Sequence, residues 1–352
     1  MGILKAFGKS PKSSDGLLYS NYPNYADGKF SNLSETIMMA GDASLPKLIW
    51  RFITRPRDCF PEHPIPSVRT DLKSPGLFQK KHPVIIWFGH SSYLIYINGM
   101  TILVDPVFSG HASPFRFTTK SFPGSDIYSV EDLPRIDILL ITHDHYDHLD
   151  WETVVKLKAK SKLICTSLGV GTHLVFWGWD KEKIREFGWG DKLQVDDSTA
   201  LIAVPARHFS GRGFARNRTL WSSFILQTGD FRIFIGGDSG YDIHFGEIGR
   251  ANGPFDIVLL ECGQYNSDWP FIHMMPEQTV QAAIDLKARL LMPVHWGKFS
   301  LSLHPWNEPI RRAKKAASWQ GLALTTPRIG EPVNLTESAP ATTWWEEFEP
   351  HQ

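Results

Sequence analysis

The chain has 352 residues, 42% of them apolar, enough to bury one large α/β core. Lys plus Arg and Asp plus Glu both number 37, so the formal charge is zero and no basic surplus marks a nucleic-acid partner. The opening Met1-Gly2-Ile3-Leu4-Lys5-Ala6 lacks the apolar run of a secretory signal, and no stretch reaches the roughly 18 apolar residues of a membrane span, so a cytoplasmic protein is expected.

Residues 1–82 read as an N-terminal extension, irregular and rich in Pro, Asn and Gly. Within it Leu45, Leu48, Ile49, Phe52 and Ile53 recur at helical spacing beside Lys47, Arg51, Arg55 and Arg57. Such a basic amphipathic helix either packs its apolar stripe on the parent domain or rests peripherally on a membrane surface. Cys59, Cys165 and Cys262 are odd in number and lack metal-type spacing, which predicts buried free thiols in a reducing compartment.

From residue 83 short apolar runs take over, at 84–88, 93–97 and 101–104, the last two joined by Asn98-Gly99, a strong hairpin signal. Further strands are predicted at 136–142, 161–165, 200–204, 222–227, 232–235, 257–260 and 290–293, and helices at 151–158, 181–185, 276–287 and 309–320. Strands interleaved with helices predict packed sheets with helices outside, over residues 83–335. In the tail, 336–352, Trp344 and Trp345 are expected to pack, and the last few residues to be loose.

The segment that carries chemistry is Ile141-Thr142-His143-Asp144-His145-Tyr146-Asp147-His148-Leu149-Asp150, an apolar strand running into three histidines and two aspartates, with Asp150 placed to cap the next helix. Imidazole nitrogen and carboxylate oxygen suit zinc, manganese and iron, and the absence of cysteine argues against a closed structural zinc site. Packing these groups together without a cation would be electrostatically awkward.

Here the sequence resembles the metallo-β-lactamase superfamily, matching its His-x-His-x-Asp-His motif at every position. The resemblance implies an αββα sandwich with metals at one edge. It also implies the rest of the ligand set: His208 in Ala206-Arg207-His208, Asp238 in Gly236-Gly237-Asp238, and His295 in Pro293-Val294-His295. His143, His145 and His208 would hold one divalent ion, Asp147, His148 and His295 the other, and Asp238 would be shared, with zinc expected and manganese or iron as alternatives. Two such ions make hydroxide available near neutral pH, and Asp147 and Asp238 are the expected catalytic carboxylates, placed to take a proton late in turnover. Asp105 and His90 are expected to support the ligands from behind, although Asp105 also reads as an ordinary strand-end turn residue.

Flanking stretches are similar to one branch, the enzymes resembling N-acylphosphatidylethanolamine-hydrolysing phospholipase D: Trp87-Phe88-Gly89-His90-Ser91-Ser92, Asp105-Pro106-Val107-Phe108-Ser109, Leu220-Trp221-Ser222-Ser223 and His295-Trp296-Gly297-Lys298-Phe299. That resemblance implies hydrolysis of a lipid phosphodiester and places His273, ahead of Pro276-Glu277, near the substrate, although Met274-Met275 departs from the branch's more polar spacing. Arg212, among Arg207, Arg216 and Arg218, is a candidate phosphate clamp, and Lys298 and His304 are candidates to line the same cleft. Tyr265, Trp269, Phe271, Met274 and Met275 offer an apolar wall for acyl chains, or simply core. The alternatives are a lactonase acting on a phosphorylated sugar lactone, which would favour a small polar pocket, and a non-catalytic or other-substrate member of the fold.

Overall fold

The computed structural model describes residues 2–12, 16–40, 45–78, 82–213 and 215–348. The extension carries α1 (Gly2–Ala6), α2 (Gly16–Tyr19), the small hairpin β1 (Tyr25–Ala26) and β2 (Lys29–Phe30), α3 (Leu45–Ile53) and α4 (Pro75–Phe78). The first half of the body follows as β3 (Val84–Trp87), β4 (Tyr93–Ile97), β5 (Met100–Val104), β6 (Ile136–Ile141), α5 (Trp151–Leu157), β7 (Ser161–Ser167), α6 (Gly171–Phe176) and β8 (Ile184–Phe187). The second half comprises β9 (Lys192–Gln194), β10 (Thr199–Val204), β11 (Ser223–Thr228), β12 (Phe231–Ile235), α7 (His244–Asn252), β13 (Ile257–Glu261), α8 (Pro276–Asp285), β14 (Leu291–Val294), α9 (Glu308–Gln320) and β15 (Pro332–Asn334).

Two sheets result, with strand orders β15-β3-β4-β5-β6-β7-β8 and β14-β13-β12-β11-β10-β9. Both faces of each are covered, which is why the strands read as continuous apolar runs. In β4 the alternation is plain: Tyr93, Ile95 and Ile97 enter the layer between the sheets, while Leu94 and Tyr96 pack outward in the layer that also takes Val154, Leu157 and Leu174 of α5 and α6. On the second sheet Phe224 and Leu226 face inward, and Ile225 packs in the outer layer with Phe245, Val280 and Ala313 of α7, α8 and α9. The architecture is the expected αββα sandwich. The Asn98-Gly99 turn pairs Ile97 with Met100, both turn residues having positive φ (50° and 76°), as a tight hairpin turn requires.

Strands β5 to β8 run parallel; β10 and β12 are each antiparallel to β11, and β12 to β14 run parallel to one another. The C-terminal ends of β10, β12, β13 and β14 therefore share one edge of their sheet, and the loops after them meet the loop after β6. Gly237 permits a close approach between the sheets' loops: it has φ 58°, and a Cβ there would stand 3.0 Å from Cβ of Thr142.

Several elements differ from the sequence reading, among them the unforeseen strands β9 and β15. The stretch 181–185 is a short 3-10 turn at Lys181–Lys183 leading into β8, whose two ends bury on opposite faces, Ile184 in the outer layer and Phe187 between the sheets, as extended residues three apart do. Helices α6 and α7 were unforeseen. Glycines at positions 171, 246 and 249 lower their propensity, yet Gly249 is required where a Cβ would fall 2.0 Å from the Asp285 carbonyl oxygen.

Beyond residue 335 the chain returns to the core: Trp344 stacks on Trp296 at 5.1 Å and Trp345 packs edge-on at 5.7 Å, both fully buried. The expectation that the last residues are loose concerns 349–352, outside the described residues. The extension lies on the body, with Tyr19 and Phe30 packed against Leu168, Ala206 and Trp221. Helix α3 half-buries Leu48 and Phe52 and leaves Trp50 and Ile53 exposed; the side chains of Leu45 and Ile49 are outside the description. All three cysteines are buried and free, and no described helix is long and apolar enough to cross a membrane.

Candidate metal centre

The loop from Thr142 to His148 gathers its side chains because β6 ends at Ile141 and α5 begins at Trp151, capped by the Asp150 carboxylate on the Glu152 N–H at 3.1 Å. Nε2 of His143 stands 3.0 Å from Nδ1 of His145, and Nε2 of His208 stands 3.2 Å from the same atom. Oδ2 of Asp238 lies 3.8 Å from His143 and 3.6 Å from His208. On the other side, Nε2 of His148 is 3.6 Å from Asp147 and 3.2 Å from Oδ1 of Asp238, and Nε2 of His295 is 3.9 Å from Asp147. The donor atoms fall into two groups, His143, His145, His208 and Asp238, and His90, Asp147, His148 and His295, each within 4.8 Å. Asp238 also groups with His273 and His295.

Several of the rings are aimed by their second nitrogen. Nδ1 of His148 meets Oδ2 of Asp105 at 2.7 Å, and Asp105 also accepts from the Thr142 N–H (2.8 Å) and hydroxyl (2.6 Å). His208 donates from Nδ1 to the Ile272 carbonyl at 2.8 Å. Ser91 Oγ lies 2.9 Å from Nδ1 of His295, and Nε2 of His90 is 2.9 Å from Asp147. Asp105 and His90 thus stand directly behind or beside the donors, and Asp105 is not merely a turn residue.

Burial, reinforced by neighbouring imidazoles, pushes His143, His208 and His295 well below the usual histidine range, leaving them neutral bases. For His148 burial acts the same way, but Asp238, Asp147 and Asp105 together raise it. Burial is the largest influence on the carboxylates too and works against ionisation, but His148, His90 and His145 together outweigh it at Asp147, and His148, His208 and His273 at Asp238, lowering both. Nε2 of His148, Nε2 of His295 and Oδ1 of Asp238 are buried without a hydrogen-bond partner among the described residues, although the first and last are only 3.2 Å apart. Neutral imidazoles, ionised carboxylates and orphaned donor atoms in one dry cluster fit divalent cations.

The other candidates separate. His273 lines the cleft above the cluster, with Nδ1 2.9 Å from Oε2 of Glu261. Arg212, expected to clamp substrate, does not line the cleft: its buried guanidinium donates to the carbonyls of Ala6, Asp144 and Leu149, because those carbonyls take its N–H groups. Lys298 is buried too, its ammonium held by the Phe88 and Val107 carbonyls and by Asp126. His304 sits behind the cleft, stacked on Tyr265 at 4.4 Å, with Nε2 accepting the Gln264 N–H at 2.9 Å. All three were read as cleft residues from proximity in sequence; each is consumed by backbone partners instead. Of the proposed apolar wall, Trp269 lines the cleft, whereas Met274 is core and Tyr265 is bonded to Glu308.

The sequence reading missed several contributors. The cleft, about 280 Å³, is walled by Met38, Met39 and Leu48 from the extension and by Phe209, Trp269 and Leu301 from the body. Asn32 clamps His208, its Oδ1 accepting the His208 N–H (3.0 Å) and its Nδ2 donating to the His208 carbonyl (2.8 Å). Glu261 was legible in principle, as a carboxylate closing the apolar run of β13.

Residues 100–296 match the family model described as the β-lactamase superfamily domain. The chain belongs to that superfamily and is a metal-dependent hydrolase of the metallo-β-lactamase type. It is 40% identical over 330 residues to an uncharacterised protein of Mycobacterium tuberculosis, covering 92% of this chain and 87% of that one. It is 34% identical over 251 residues to the mitochondrial N-acyl-phosphatidylethanolamine-hydrolysing phospholipase D of Saccharomyces cerevisiae, covering 67% of this chain and 52% of that one. Among solved structures it is similar in fold to the metallo-hydrolase Igni18 of Ignicoccus hospitalis, with TM-score 0.55 and 19% identity over 72% of this chain and 97% of that one.

Proposed function

We propose that the chain hydrolyses a lipid phosphodiester of the N-acylated phosphatidylethanolamine class. One observation carries the reading: the donor cluster forms the floor of a cleft walled by Met38, Met39, Leu48, Phe209, Trp269 and Leu301, with Arg216 also among its lining residues. A charged ester head needs the floor and acyl chains need the walls, whereas a phosphorylated sugar lactone calls for polar walls. Relatedness to the yeast phospholipase D supports the same class.

His143, His145 and His208 would hold one divalent ion and Asp147, His148 and His295 a second, with Asp238 between them; zinc is the preferred ion, manganese and iron the alternatives. Such ions, when bound, supply a water ionised near neutral pH and a Lewis acid for the phosphoryl oxygens. The chain's own groups orient the rest. Asp105 fixes the ring of His148 through Nδ1, and His90 holds the Asp147 carboxylate. With Nδ1 of His273 engaged by Glu261, its Nε2 is the atom left for a phosphoryl oxygen or the departing alkoxide. Asp147 and Asp238 remain the carboxylates nearest that exchange of protons.

Peripheral contact with a lipid surface belongs to the same proposal. Trp50 and Ile53 are exposed on α3, whose Leu48 lines the cleft, so the helix would bring the mouth of the cleft to the interface. Its arginines are less available: Arg51 pairs with Asp268, and Arg55 donates to Ser300 and lies over the Phe60 ring. Trp50→Asp with Ile53→Asp should therefore abolish sedimentation with anionic vesicles, and absence of binding by the unaltered protein would end this part of the proposal.

The deciding assay sets an N-acylated phosphatidylethanolamine, bis(p-nitrophenyl) phosphate and a phosphorylated sugar lactone side by side on zinc- or manganese-loaded protein. Turnover of the phospholipid, lost in Asp147→Ala and His295→Ala, supports the proposal; turnover of the lactone alone overturns it.

A further inference from the structure

The segment from Lys5 to Lys9 contributes nothing to the donor set, yet it is bonded to the loop that carries His143, His145 and His148. Three links make the connection. The Arg212 guanidinium donates to the Ala6 carbonyl from Nε (3.0 Å) and Nη2 (2.7 Å), and from Nη1 to the carbonyls of Asp144 (2.8 Å) and Leu149 (2.7 Å), one near each end of the loop. The Lys9 N–H donates to Nδ1 of His173 at 3.0 Å, so the neutral ring carries its proton on Nε2, which meets Oδ2 of Asp144 at 3.2 Å. Trp177 donates from Nε1 to the Lys5 carbonyl at 2.7 Å.

Asp144 is the residue between two ligands, and its carboxylate is fully enclosed. The Gly211 N–H takes Oδ1 at 2.7 Å, and the Thr219 hydroxyl joins His173 on Oδ2 at 2.9 Å. The loop is therefore fixed from behind at Asp144 and Leu149, and two of the groups that fix it, Arg212 and His173, are themselves completed by the main chain of the N-terminal segment. Without the Lys9 N–H, the His173 ring is free to adopt the other tautomer or turn. Without Ala6, the guanidinium loses one of three carbonyl partners.

We propose that residues 5–9, acting through Arg212 and His173, position the His143–His148 loop for metal, so that the docked segment and the bound ion stabilise each other. Both groups are positioning residues; neither is placed to touch substrate. A segment that merely adds to global stability would leave metal affinity unchanged, whereas a positioning segment must obey reciprocity. If its docking tightens metal by some factor, metal tightens its docking by the same factor.

The test uses the full chain, a chain lacking residues 2–9, and His173→Phe. Zinc affinity is measured by competition with a chromogenic chelator, and hydrogen exchange at the Lys9 amide is followed with and without zinc. Loss of an outer support should weaken zinc binding by about 10-fold or more in both variants, and zinc should slow Lys9 exchange in the full chain by a similar factor. Unchanged zinc affinity in a folded variant, or Lys9 exchange indifferent to zinc, would overturn the proposal. Should either variant fail to fold, the exchange experiment on the full chain decides alone. Neither readout requires turnover, so the outcome stands apart from the identity of the substrate.

Discussion

The carboxylate of Glu261, wholly buried at the end of β13, lies 2.9 Å from Nδ1 of His273 and also accepts the Met274 N–H at 2.8 Å. Burial lifts this carboxyl above its usual range; burial also disfavours a charged His273, but Glu261, with Asp238 and Asp147, outweighs it and raises the imidazole. Glu261→Gln should leave the fold intact and lower kcat by about 10–100-fold, the range for a group that orients a site side chain. Steady-state kinetics on bis(p-nitrophenyl) phosphate would check it. The drop should fall on kcat rather than KM, and an unchanged kcat would leave His273 without need of its partner.

Asp105 invites a sharper substitution. Asp105→Asn retains the shape but supplies only one good acceptor where Thr142 and His148 need two oxygens, so the His148 ring loses its aim. Zinc affinity should fall by about 10–100-fold. A chelator titration with the metal content of the dialysed protein reads this directly.

Metal removal should cost stability as well as activity. An ion that binds only the folded chain adds RT ln(1 + [L]/Kd), about 2.7 kcal/mol at a hundred times Kd. The melting temperature of the unaltered protein should therefore rise by several degrees with excess zinc. In Asp147→Ala, which removes a donor from the cluster, most of that rise should vanish.

The sandwich and the donor cluster were legible because both rest on local patterns. Apolar runs of strand length mark β3 to β6, and the motif at 143–148 sits on a strand end where alternate side chains converge. What escaped was decided by distance in space. Arg212, Lys298 and His304 follow ligands closely in sequence, but their polar atoms meet carbonyls or amides of other turns, and sequence proximity does not report which way a side chain leaves the loop. Asn32, Met38 and Met39 act from far upstream, and no local signal ties them to His208 or to the cleft.

Acid sensitivity has a source away from the ligands. Burial drives His244 down to about 4, with Ser239 Oγ 3.3 Å from its Nε2. Its folded value lies below the unfolded one of about 6.5, so the unfolded chain takes up the proton first. The stability tied to the neutral ring is fully present above pH 6.5 and declines toward pH 4, by an amount on the order of 3 kcal/mol. Urea unfolding of metal-free protein at pH 7.5 and pH 5 should show a smaller loss in His244→Gln than in the unaltered chain.

Trp344 offers a test of the tail. Its ring is 1% exposed and stacks on Trp296, the residue next to His295 of the donor cluster. Trp344→Ala should destabilise the protein by about 3–5 kcal/mol, the range for a deleted core aromatic, and equilibrium unfolding would measure it.

The donors come from two sheets: His143, His145, Asp147 and His148 follow β6 of one, while His208, Asp238 and His295 follow β10, β12 and β14 of the other. A chain emerging during synthesis carries the first four long before the last, and half a cluster has neither the charge nor the enclosure to ionise water. The hydrolase is thus latent until its second sheet is finished. A metal ion that draws donors from both sheets would be retained only by a molecule whose halves have closed in register.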